Sequence, residues 1–89
     1  MEKLSRYTLG AKIDTLFTET LELILYAAYA NKQQKLLAVQ KAATKHDALK
    51  YFLNIAWQVR AIDHKTYARI SSPLEEIGKM LGGWLKHVQ

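Results

Sequence analysis

The sequence contains no cysteine, one proline and four glycines among its 89 residues. Without cysteine there is no disulfide and no thiolate metal site, which excludes a small secreted scaffold held by staples. The same absence fits a reducing compartment, and the expected localisation is cytoplasmic. No apolar run approaches the ~20 residues that a membrane span needs, so no membrane partner is expected. The opening MEKLSRYTLG is not a basic cap followed by a greasy stretch and does not read as a signal peptide. Tracts alternating with period two, internal repeats and low-complexity segments are missing too.

What is present favours helix. The chain is 49% hydrophobic and 24% charged, and it is dominated by alanine, leucine, lysine, glutamine and glutamate, all good helix formers. Glycine and proline are nearly absent before residue 73, so only short loops fit. The reading is all-α: one domain over residues 1–89, an antiparallel helical bundle of three long helices. A first helix over residues 8–30 buries the stripe Leu9, Ile13, Leu16, Phe17, Thr20, Ile24 and Ala27, widened by Leu21, Leu25 and Ala28. Residues 31–34 make a turn.

A second helix follows over residues 34–61. In its second half Asp47, Lys50, Tyr51, Asn54 and Gln58 line a polar face, and the rest is apolar. So wide an apolar arc exceeds one bundle core, and predicts a core on one side and a subunit contact on the other. Asp63 is placed to cap a third helix. There Tyr67, Ile70, Leu74, Ile77, Leu81, Trp84 and Val88 recur at three and four, as in a coiled coil. Ser72-Pro73-Leu74-Glu75 reads as a helix start inside that seam. A kink is expected near Ser72, with the seam running through it.

The net charge of +5 is uneven: residues 31–69 hold eight Lys and Arg against two Asp. A positive middle attracts polyanions, although a lysine-rich helix can equally be a solvated face. The candidate phosphate contacts are Lys32, Lys35, Lys41, Lys45, Lys50, Arg60, Lys65 and Arg69. On the first helix Glu19, Glu22, Tyr26 and Tyr29 share the face opposite the buried stripe. Tyrosine suits interfaces, having an apolar body and a polar tip; two ordinary half-exposed tyrosines are the plainer reading. Gly78 and Gly82 stand four apart on the third helix, where each glycine costs about 1 kcal/mol against alanine. Close packing against a neighbouring helix accounts for that cost. With Phe52 and Trp84, these residues form the candidate oligomer interface.

Chemistry-bearing patterns are scarce. His46, His64 and His87 do not pair at helical spacing and no Glu-x-x-His occurs, so the di-metal bundle pattern fails. Glu19 and Glu22 lack a third ligand or base. No nucleophile elbow, phosphate loop or zinc motif appears. No enzyme, metal or cofactor is expected.

Several runs carry a resemblance: Arg6-Tyr7-Thr8-Leu9-Gly10 followed by Ile13-Asp14, then Leu21-Glu22-Leu23-Ile24, Ala27-Ala28 and Leu49-Lys50-Tyr51-Phe52-Leu53. The most specific is Ile77-Gly78-Lys79-Met80-Leu81-Gly82-Gly83-Trp84. Together they resemble the accessory variability determinant family of diversity-generating retroelements. That family lies within the four-helix-bundle proteins that include the ribosomal RNA intervening-sequence proteins. The resemblance implies a non-enzymatic, basic homo-oligomer, a pentamer. It further implies binding to RNA or DNA and to a reverse transcriptase, in support of mutagenic reverse transcription. The family has a further helix before the Arg-Tyr-Thr-Leu-Gly segment, and only five residues precede Arg6 here. The chain thus reads as a four-helix-bundle relative lacking the first helix. The alternative is a self-assembling helical interaction module of the intervening-sequence type with no nucleic-acid role. Its Glu19 and Glu22 would meet the basic start of the second helix on the next subunit, a head-to-tail contact that can close a ring.

Overall fold

Asn31 decides where the chain first reverses. Its backbone is extended (φ −71°, ψ 172°) and its Oδ1 accepts a hydrogen bond from the Gln34 N–H at 2.9 Å, satisfying one of the donors that a helix start leaves orphaned. The turn is therefore shorter than residues 31–34. In the computed structural model, which describes residues 6–88, three helices follow in order: α1 (Arg6–Tyr29), α2 (Lys32–Gln58) and α3 (His64–Val88). No strand occurs among the described residues. Residues 1–5 of the opening read against a signal peptide, residue 89, and the side chains of Arg6, His87 and Val88 lie outside the described part.

The second reversal uses different chemistry. α2 ends before residue 61 because Arg60 adopts a left-handed backbone, φ 62°. The Arg60 N–H then donates to the Trp57 carbonyl at 3.0 Å and the Ala61 N–H to the Ala56 carbonyl at 2.8 Å. This pair of bonds is the Schellman closure, at a position where glycine is usual; for a residue with a Cβ the conformation costs about 1–2 kcal/mol. Asp63 then caps α3 as expected, its Oδ1 accepting from the Thr66 N–H at 2.7 Å.

The helix start read at Ser72 is not used, and α3 runs through Pro73 as one helix. Proline removes the hydrogen bond to the Arg69 carbonyl. Arg69, Ser72 and Pro73 are all exposed, so the loss falls on the wet side. The next residue, Leu74, is 1% exposed and anchors the seam.

α2 is the central helix, packed against α1 on one flank and α3 on the other, while the backbones of α1 and α3 do not meet. Lys35 lies over the Trp84 ring and Trp57 beside Tyr67, so α2 and α3 run antiparallel. The broad apolar arc of α2 is thus used twice inside one chain. One core cluster joins Ala27, Ala38, Val39, Ala42 and Leu81; the other joins Leu16, Leu49, Leu53 and Leu74. The seam expected on α3 is the one observed, with Leu74 and Leu81 buried and Tyr67, Ile70, Ile77 and Trp84 half-buried. The width expected for the α1 stripe is not observed. Leu21, Leu25 and Ala28 are exposed, Leu25 at 62%, because α1 has a neighbour on one side only.

Candidate nucleic-acid interface

The eight candidate cations do not converge within one protomer. Lys41 and Lys45 line a groove between α1 and α2 with Glu19, Glu22, Tyr26 and Leu37. Lys45 donates to Glu19 Oε1 at 3.2 Å with both side chains about two-fifths exposed. Lys50 lies across α2 in a different groove, with Asp47, Glu75 and Lys79. Lys35 is half-buried, its Nζ 5.4 Å from the centre of the Trp84 ring. Lys32 is exposed at the start of α2. Arg60, Lys65 and Arg69 cluster in sequence around the α2–α3 corner, all exposed. Of the eight, only Lys45 has an ion-pair partner among the described residues.

The corner adds a feature that the sequence reading passed over. Trp57 sits against Tyr67 with ring centroids 4.6 Å apart, and against His64 at 5.8 Å. Trp57 reads from sequence as part of an apolar arc. Only the five-residue turn after α2 swings His64 and Tyr67 back onto it. The signal available in the sequence was the position of the three aromatics on either side of one helix break. Asp63 shares this corner. Hydrogen bonds from the Thr66 backbone and hydroxyl, with smaller help from Arg69 and His64, hold its carboxyl below the ordinary carboxylate value.

The interface candidates divide as well. Tyr26 and Tyr29 are exposed, at 52% and 87%. Glu22 is exposed, whereas Glu19 is half-buried and already bonded to Lys45 of its own chain. Phe52 is half-buried against the second core cluster, with Lys12 Nζ 5.7 Å from its ring centre. Trp84 packs on the first cluster.

Gly78 is filled from inside the protomer. A Cβ there would lie 2.9 Å from His46 Cε1, while at Gly82 it would meet open space. His46 is 5% exposed, and its Nε2 is 2.6 Å from the Leu74 carbonyl oxygen. A carbonyl only accepts, so Nε2 carries the proton. The ring therefore bridges α2 to α3. No group of three or more His, Cys, Asp or Glu suited to a metal occurs among the described residues. No helix among them is long and apolar enough to cross a membrane.

A family model described as bAvd-like matches residues 2–88 of the chain. No curated protein and no solved structure matches it.

Proposed function

The chain belongs to the bAvd-like family, and from that membership we propose that it is a non-enzymatic, nucleic-acid-binding accessory protein of a diversity-generating retroelement. It supports the element's reverse transcriptase in mutagenic reverse transcription, acts in the cytoplasm and works as a homo-oligomer, a pentamer. The observation that carries this reading is the state of the cations. Lys32, Lys41, Lys50, Arg60, Lys65 and Arg69 are exposed and have no ion-pair partner among the described residues. Unneutralised surface cations are what a phosphate backbone displaces counterions to reach. Because one protomer spreads them over several faces, assembly is what gathers them into one surface. Contacts of this kind position a strand without reading its sequence.

Filter binding tests it. RNA or DNA is retained near 50 mM salt, and affinity falls by roughly a thousandfold or more by 200 mM if six phosphates are contacted. Absence of retention at the lower salt overturns the reading.

A second reading is favoured by one specific feature. Leu25, Tyr26, Tyr29 and Leu37 leave an exposed apolar face on α1 and α2, each more than half exposed. In this reading the chain is a self-assembling module whose partner is protein. Since Glu19 is bonded within the protomer, Glu22 is the acidic group left for a neighbour's lysines. Glu22→Lys then lowers the sedimenting mass; a variant that sediments like the parent removes that contact. Neutralising Lys41 and Lys45 separates the two readings, because only the first predicts lost nucleic-acid binding with assembly intact.

A further inference from the structure

The α2–α3 corner combines three things: clustered aromatic rings tilted about 45° to one another, a concave surface, and cations with no ion-pair partner among the described residues. Trp57 is 37% exposed, backed by Tyr67 and flanked by His64. It lines a cleft with Arg60, Asp63, His64 and Thr66. Arg60 holds a left-handed backbone that glycine adopts freely, so its side chain stands where the fold alone favours none. Lys65 and Arg69 follow on the first turns of α3, both exposed. Asp63 opposes an anion here, but its carboxylate is turned onto the Thr66 N–H at 2.7 Å.

We infer that this corner is a stacking site for single-stranded nucleic acid, with an unpaired base on the Trp57 ring and the flanking phosphates on Arg60, Lys65 and Arg69. The inference rests on the nucleic-acid reading above and gives it a location and a strand preference. Cations alone would serve a duplex equally well. An indole already held by two other rings offers a rigid π face, and only an unpaired base can lie on it. The order of affinities that follows is single strand over duplex, with little dependence on sequence.

The test uses the full chain and three probes: a twelve-nucleotide single strand (roughly one such site's span), the same sequence as duplex, and phosphatidylcholine vesicles containing phosphatidylserine. The single strand quenches tryptophan emission in the parent, and that quenching is lost in Trp57→Phe, which leaves Trp84 as the reporter. Trp57→Ala weakens single-strand binding about tenfold or more and leaves duplex binding within twofold. Arg60→Gly guards against loss of fold, because it relieves the left-handed strain. It raises the melting temperature, weakens binding several-fold and lowers the salt slope by about one.

If strands bind while Trp57→Phe and Arg60→Gly behave as the parent, this site is wrong and the broader reading survives. Failure of every strand to bind near 50 mM salt removes both. Quenching by the anionic vesicles and not by the strand reassigns the corner to a lipid surface and overturns the inference.

Discussion

The two flanks of α2 are built on different plans. Toward α3, a buried imidazole donates to the Leu74 carbonyl, and Gly78 leaves room for its ring. That seam specifies one register, because sliding either helix by a residue breaks the bond and drives a side chain into the ring. Toward α1, the buried contacts are apolar, Ala27 with Ala38, Val39 and Ala42 in one cluster and Leu16 with Leu49 and Leu53 in the other. Outside them lies a half-exposed ion pair between Glu19 and Lys45, and a face where Leu25 and Leu37 remain in water. A partly exposed pair of this sort adds little stability. One flank is therefore a finished interface and the other a surface with capacity left over.

Four substitutions sharpen or break this contrast. The largest effect is expected for His46→Ala, which removes a buried ring and its hydrogen bond and lowers unfolding free energy by about 2–4 kcal/mol in urea melts. A loss under about 1 kcal/mol would mean that the bond to Leu74 holds little. Gly78→Ala comes next, with a loss of about 1–2 kcal/mol from overpacking against the imidazole. Placed in the His46→Ala background it becomes neutral or stabilising, and that coupling separates a clash with the ring from any other cause. Gly82→Ala has the opposite sign, a gain of about 0.5–1 kcal/mol, since open space surrounds the position. The smallest effect falls on the other flank: Leu25→Ser shifts stability by no more than about 0.5 kcal/mol in a dilute monomer. A concentration-dependent drop in its melting temperature relative to the parent would show that a neighbour covers that face.

The elements of this fold were legible in the sequence because each has a local cause. Asp63 sits three residues before the Thr66 amide it caps, and the α3 seam repeats without a lapse from Tyr67 to Trp84. Helix ends set by backbone conformation were harder. Arg60 in a left-handed conformation stops α2, yet arginine is an ordinary helix former and gives no sign of it. Periodicity fixes the centre of a buried stripe but not its width. Leu25 reads as core until the number of neighbours around α1 is known. The candidate site was legible only as a list of cations. Their division among grooves depends on which flank each helix covers, and the rings around Trp57 come together through the turn rather than through spacing along one helix.

The backbones of α1 and α3 each meet α2 but not each other, and what the two outer helices share is side-chain packing, Ala27 with Leu81 in one core cluster and Leu16 with Leu74 in the other. Detaching either outer helix therefore opens both clusters, and the helical hairpin left behind keeps only part of its core. Every backbone pairing of helices joins neighbours in sequence, which favours rapid folding. Hydrogen exchange should accordingly find the α2 amides slowest, because α2 is the helix covered on both flanks.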